Sequence, residues 1–290
     1  MGELSVAVKI LTDSTSYIDK GIKKDLDIKV VSLNVILKEK NMKEVEIDNK
    51  TFYKELRQDE IPTSSQPSID EMYHIMKSTV EQGHELLCIF LSSKMSGTYA
   101  SAHIAKDMVL EKHPQGKIEI MDSESNSMQL GFAAIVAGRL AKKGRPLEDI
   151  MSVVAENIKC SRFIFLPDNL EYLIKGGRIG GAGALIGNLL RIIPILTVDR
   201  GETAVLKKVR TKPKAVTVML DQLIQDANQY GVKEVCIHHI NALEEAKELA
   251  KRIEEKLKVT TTISDIGAVI GLHVGPGAIG IVYYTEEALR

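Results

Sequence analysis

Three apolar runs in the first 130 residues each end in a loop crowded with hydroxyls. Val6–Leu11 leads into Thr12-Asp13-Ser14-Thr15-Ser16, Leu86–Leu91 into Ser92-Ser93-Lys94-Met95-Ser96-Gly97-Thr98, and Ile118–Met121 into Asp122-Ser123-Glu124-Ser125-Asn126-Ser127. A helical pattern follows each loop, and alternation of this kind predicts an α/β layer with a parallel sheet. Beyond the loop Ile61–Pro67, Ser68 and Glu71 have the spacing of a capping box, and Ile69, Met72, Tyr73, Met76 and Val80 then share one helical face. A second long helix is expected from Ser127 to Lys143, closed by Gly144 and Pro146.

The remainder of the chain reads differently. Ile192–Val198 and Thr203–Val209 are strand-like and joined through Asp199-Arg200-Gly201-Glu202, a hairpin turn. A helix over Lys214–Tyr230, a strand over Glu234–Ile240, an amphipathic helix over Leu243–Leu257 and strands over Val259–Ile263 and Ile279–Tyr284 complete the pattern. Hairpins mixed with helices predict a mixed-sheet α+β domain. The expected organisation is therefore α/β with two domains: residues 1–160 carry the hydroxyl-rich loops, and 161–290 form the second domain.

Composition narrows the function classes. A chain of 290 residues can bury two cores, and 38 basic against 39 acidic residues leave it nearly neutral. No basic stripe interleaved with aromatics is present, which argues against nucleic acid as the main partner. Cys88, Cys160 and Cys236 sit in apolar contexts and read as reduced, buried thiols. With no signal-like segment and no run long enough to span a bilayer, the expectation is a soluble, cytoplasmic protein.

In α/β chains, ligands gather outside the carboxyl ends of parallel strands, where helix N-terminal amides face them. Hydroxyls collected there, with few fixed cations, suit a small anionic head group. Ser92–Thr98 directly follows a strand and precedes a helix, which makes it the strongest local candidate. The glycine-rich stretch Gly176–Gly187 is no nucleotide loop: it lacks the Gly-Lys-Ser/Thr ending, and Gly181, Gly183 and Gly187 miss the dinucleotide spacing. It reads as a tight turn with close packing, on which Arg178 offers a charge to a partner. His273 lies in Gly271-Leu272-His273-Val274-Gly275-Pro276-Gly277-Ala278, read as a loop with an unusual backbone path, where imidazole can meet a bound carboxyl or phosphate. His238 and His239 are adjacent in a strand and face opposite ways, so they cannot share a metal, and no HExxH or CxxC spacing occurs. No metal site is expected. A serine-hydrolase triad from Ser96, His273 and Asp13 is the competing reading, although no Gly-x-Ser-x-Gly elbow supports it.

Taken together, these segments resemble the DegV family of bacterial fatty-acid-binding proteins. The resemblance rests on Thr12-Asp13-Ser14-Thr15, Ser64-Ser65-Gln66-Pro67-Ser68, Leu91–Tyr99, Asp122-Ser123-Glu124-Ser125, Leu170–Ile179 and Gly271–Gly280, six motifs in order over nearly the whole chain. It implies a two-domain protein that holds one long-chain fatty acid, such as palmitate, stearate or oleate, between its domains, without a further cofactor. It implies a non-enzymatic carrier that presents the acid to a separate fatty acid kinase, which makes an acyl phosphate for phospholipid synthesis, with transient exchange at membranes. Carried over by motif, the carboxylate ligands are Ser64, Ser93 or Ser96, and His273; the Gly-Gly-Arg turn at 176–178, with Arg178, is separately our expectation for a kinase-facing patch. Two positions depart from the family pattern: Ser64 stands where threonine is usual, and Lys94 where glycine is common.

Overall fold

The computed structural model describes residues 6–57, 60–185 and 192–289. In chain order the elements are β1 (Val8–Asp13), α1 (Lys20–Asp25), β2 (Ile28–Val31), β3 (Asn34–Leu37), β4 (Lys40–Lys43), α2 (Asn49–Glu55), β5 (Thr63–Ser65), α3 (Ile69–Glu81), β6 (Glu85–Phe90), α4 (Thr98–Lys112), β7 (Ile118–Asp122), α5 (Ser127–Lys142) and α6 (Leu147–Cys160). There follow β8 (Ser161–Leu166), α7 (Glu171–Lys175), β9 (Ile193–Asp199), β10 (Glu202–Val209), α8 (Lys212–Tyr230), β11 (Glu234–His239), α9 (Leu243–Leu257), β12 (Thr261–Asp265), α10 (Ala268–Val274) and β13 (Ile279–Tyr284). The chain divides into two compact units. One comprises residues up to Asn34 with Ser64–Ile158, the other Val35–Thr63 with residues from Lys159 onward. The sequence reading placed the excursion 35–63 in the first domain, whereas its contacts group it with the second.

The first unit is built on a parallel sheet of order β2-β1-β6-β7. Central β6 is buried on both faces, which is why Leu86–Leu91 is a continuous apolar run without alternation. The Ser68 hydroxyl accepts the Glu71 N–H at 3.1 Å and starts α3 as the spacing predicts. Met72 and Met76 of that helix, with Ala102, Ala105 and Val109 of α4, pack on Leu86, Cys88 and Phe90. Helix α5, apolar around most of its circumference, is buried along much of its length against β1 and the turn Ser14–Ser16. Because all four strands are parallel, their carboxyl ends, and the loops that leave them, lie along one edge.

The second unit holds a six-stranded sheet of order β10-β9-β8-β13-β11-β12, in which only β11 and β12 are parallel neighbours. The β9–β10 hairpin turns at Arg200 and Gly201, both with positive φ (47° and 84°), as a primed turn requires. Helices α8 and α9 cover one face through Ala215, Met219, Leu220, Leu223, Leu249 and Ile253. A small sheet of order β4-β3-β5 contains two of the three points where the chain passes between units, 34/35 and 63/64; the third lies at 158/159. Of residues 271–278, expected as a loop, 271–274 form the end of helix α10 (Ala268–Val274), every residue of which is buried, and only 275–278 lie outside it. Part of the glycine-rich stretch, including Gly187, lies outside the described residues.

Candidate ligand-binding site

In the first unit, two aspartates at strand ends convert the hydroxyl loops into one network. Asp13 Oδ2 accepts the Leu91 N–H at 2.8 Å, and its Oδ1 accepts Thr15 N–H at 2.9 Å and the Thr15 hydroxyl at 2.6 Å. It therefore ties the loop after β1 to the end of β6. Asp122 Oδ2 accepts Ser93 N–H at 3.2 Å while its Oδ1 accepts Glu124 N–H at 2.8 Å, which ties the loop after β6 to the one after β7. Ser92 N–H donates to Ser125 O at 2.7 Å across the same pair of loops. The Ser64–Ser68 segment joins through Gln66, whose amide donates to the Ser101 hydroxyl of α4 at 2.9 Å. Ser64, Ser93 and Ser96 thus stand on segments fastened to one edge of one sheet.

The three serines differ in what they can offer. Ser96 Oγ is engaged with the Thr98 hydroxyl at 2.9 Å and accepts Thr98 N–H at 3.3 Å at the start of α4. Ser93 is exposed; its N–H is anchored to Asp122, but its hydroxyl makes no hydrogen bond among the described residues. Ser64 is half-buried in β5. Asp13 is wholly buried, and burial pushes its pKa up to about 6 although all three hydrogen bonds favour the anion. Its two oxygens are committed to fixing loops, the arrangement of a structural carboxylate.

The second unit places His273 in the last turn of α10, and the excursion holds that helix at its start. Glu44, buried, accepts the Val269 N–H at 2.9 Å, so a carboxylate meets the positive end of the helix. The Tyr53 hydroxyl lies 2.7 Å from Ile266 O and 2.8 Å from Gly267 O, and Asn49 donates to Asp265 Oδ2 at 2.9 Å. The Tyr53 ring covers Gly271, where a Cβ would collide with the hydroxyl and come within 2.5 Å of two ring carbons. At the other end of the helix, the His273 imidazole rests on Gly176, at which any Cβ would strike Nδ1. Helix α7 and the turn after it, with the Gly-Gly-Arg motif, therefore meet the Gly-Leu-His motif within this unit. Burial, and after it the positive charge of Arg178, holds the His273 pKa down at about 4. At neutral pH the ring is uncharged, able to donate at one nitrogen and accept at the other. Arg178, exposed, is fixed by donation to Gly176 O at 2.7 Å.

Sequence reasoning missed Glu44, Tyr53 and Asn49, because nothing in a lone Glu-Val-Glu or Thr-Phe-Tyr indicates that it will grip a helix more than two hundred residues away. A groove of about 630 Å³ in the excursion, lined among others by Leu37, Met42, Phe52 and Pro62, was likewise not foreseen. None of Ser64, Ser93, Ser96 or His273 lines it. Among the described residues no helix is long and apolar enough to cross a membrane.

The comparison with known families decides the relationship. The sequence profile described as an uncharacterised protein, DegV family, matches residues 7–286. The chain belongs to the DegV family. A DegV domain-containing protein of Clostridium acetobutylicum is 56% identical over 285 residues, covering 98% of this chain and all of the relative. Among solved DegV structures, the fatty acid binding protein DegV of Bacillus subtilis is 35% identical with a TM-score of 0.88 over 97% of this chain and 100% of that one. A stearic acid-binding protein of Eubacterium ventriosum also aligns at a TM-score of 0.88, with 26% identity over 96% of this chain and 98% of the other. The DegV fold expected from the motifs is the fold observed.

Proposed function

We propose that this DegV protein binds one long-chain fatty acid and carries it to a separate fatty acid kinase for acyl-phosphate formation in phospholipid synthesis. The observation that carries the reading is the anchored but uncommitted Ser93 hydroxyl on an edge where every neighbouring loop is already fixed. A carboxylate leaving water needs charge-assisted donors, and preset hydroxyls and loop amides supply them without a counter-charge. Ser93 is the foremost head-group ligand, the proposed set also includes Ser64 and the neutral His273 imidazole, and Ser96 supports the loop. Apolar side chains enclose the tail; each buried methylene contributes about 0.8 kcal/mol, so a long chain supplies most of the affinity. Full-chain relatives described as fatty acid or stearic acid binding support this ligand class. Arg178, exposed on its turn beside His273, is the proposed kinase-facing charge, and the buried free cysteines fit a cytoplasmic location.

A hydrolase using Ser96, His273 and Asp13 is the weaker reading, because Ser96 is engaged with Thr98 and Asp13 with Thr15 and Leu91. The test is a fatty-acid titration of Ser93→Ala and Ser96→Ala, with exposure of the native protein to a serine-reactive phosphonate. Loss of one charge-assisted hydrogen bond weakens binding of the Ser93 variant about tenfold or more, with a smaller effect at Ser96 and no covalent label. Unchanged affinity in both variants, or a stoichiometric label on Ser96, refutes the proposal.

A further inference from the structure

Two motifs of the first unit contain residues that the carboxylate reading leaves unused: Gln66 of Ser64-Ser65-Gln66-Pro67-Ser68, and Gly97 of the turn after β6. In the fold they meet. The Gln66 side-chain amide donates at 2.9 Å to the hydroxyl of Ser101, which is buried on the first turn of α4. Its oxygen lies against Gly97, where a Cβ would stand 2.4 Å from Oε1 and 3.2 Å from Cδ. Gly97 has φ −73° and ψ 0°, backbone open to any L-residue, so its conformation does not call for glycine. Capping does not call for it either, since serine or asparagine serves that position of a helix at least as well. Space does, because a side chain at 97 would take the place that Oε1 occupies. The main chain of Gln66 is fixed too: its carbonyl accepts the Asn34 side-chain amide at 3.3 Å, and Pro67, buried, keeps the residue before it extended. Gln66 is itself exposed, so the fold gains little packing from ordering a side chain with this much rotamer freedom.

We infer that Gln66 is a positioning residue: by closing on Gly97 and Ser101 it fixes where the Ser64 hydroxyl stands relative to Ser93, and with it the preference for a carboxylate over an uncharged head group. Charge-assisted hydrogen bonds are about twice as strong as neutral ones, and they weaken steeply when donor and acceptor are misplaced. Two hydroxyls on separate segments grip one carboxylate well only if their spacing is held before the ligand arrives. An alcohol head group is served by either hydroxyl alone and gains little from that spacing. This role rests on the reading of Ser64 and Ser93 as carboxylate ligands.

The test is competition binding of oleate and oleyl alcohol, which share a tail and differ at the head, to the full chain, with hydrogen exchange of residues 63–68 measured without ligand. Gln66→Ala weakens oleate binding about tenfold, the loss of one charge-assisted hydrogen bond, and oleyl alcohol binding by about twofold or less. In a Ser64→Ala background the same change has no further effect on oleate, because no hydroxyl is left to position. Gly97→Ala drives Oε1 from its place and reproduces the loss, but adds nothing to Gln66→Ala. The melting curve stays nearly unchanged, since the Ser101 hydroxyl released by Gln66→Ala turns to the Gly97 carbonyl one turn back. Exchange of the 63–68 segment rises in Gln66→Ala while β6 stays protected. Unchanged oleate affinity, equal losses for acid and alcohol, or full additivity with Ser64→Ala overturns the inference. Wild-type protein that binds neither ligand, with exchange rising as expected, sinks the carrier reading and the head-group preference with it but leaves Gln66 holding the segment. Wild-type binding of oleate with none of these changes in the variants sinks the Gln66 role alone.

Discussion

The grip of Tyr53 on α10 gives a sharp test of how the His273 helix is held. Gly271 adopts ordinary helical backbone, so alanine is tolerated conformationally and raises helix propensity by about 0.8–1 kcal/mol. The obstacle is packing: the new Cβ collides with the Tyr53 hydroxyl and lies within 2.5 Å of Cε1 and Cζ. Tyr53 is 6% exposed and its hydroxyl is held at 2.7 Å from Ile266 O, so the ring can yield only by breaking that bond. Overpacking of this kind costs about 1–3 kcal/mol and exceeds the propensity gain. Gly271→Ala in the wild type is therefore expected to destabilise by up to about 2 kcal/mol net. In a Tyr53→Ala background the same change no longer meets the Tyr53 ring and should stabilise by up to about 1 kcal/mol, a reversal of sign. Tyr53→Ala alone costs about 3–5 kcal/mol, so the cycle is best measured by urea unfolding with a stabilising cosolvent present throughout. Equal effects of Gly271→Ala in both backgrounds would falsify the packing argument.

Further expectations concern the titrating groups. By proton NMR, His273 should titrate with a midpoint near its pKa of about 4, and Arg178→Ala should move the midpoint upward while leaving the burial effect in place. The folded ring binds its proton more weakly than the unfolded one, so stability is full above pH 6.5 and is lost as pH falls toward 4, by at most about 3 kcal/mol. His273→Asn should flatten that part of a pH–stability curve, and a steepened or unchanged slope would contradict the assignment. Asp13 acts with opposite sign: with its pKa raised from 3.8 to about 6, the folded carboxyl retains a proton the unfolded chain gives up, so its contribution falls as pH rises through that window. Asp13→Ala orphans the Leu91 and Thr15 amides and is expected to cost about 2–4 kcal/mol at neutral pH; a cost below 1 kcal/mol would show that the loops do not depend on it.

How much of this was legible in the sequence depends on whether local or distant residues decide each element. Ile69–Glu81 and Leu243–Leu257 carry their own periodicity, and the former its own cap, and Ile279–Tyr284 is strand over the expected residues. The strand expected at Val259–Ile263 lies two residues later, at Thr261–Asp265, because α9 runs to Leu257 and Glu254 then seizes the Thr261 N–H at 3.0 Å. Helix α10 was invisible. Its Val269-Ile270-Gly271 run has poor helix propensity and favours a loop reading, and it is helical because Glu44 and Tyr53 satisfy its start and its whole circumference is buried. The excursion 35–63 was unreadable for the same reason, since its value lies in distant partners. The hydroxyl loops were legible because strand ends and clustered serines are local signals. The commitment of Ser96 to Thr98, set against the uncommitted Ser93, was not, since it depends on how the loop folds back on itself.

The central claim is that the chain holds one long-chain fatty acid, and mass spectrometry of freshly purified protein under native and denaturing conditions tests it most directly. The account expects an added mass under native conditions that vanishes on denaturation and equals a single fatty acid. A protein that shows only its own mass, before and after incubation with saturated and unsaturated fatty acids, contradicts it.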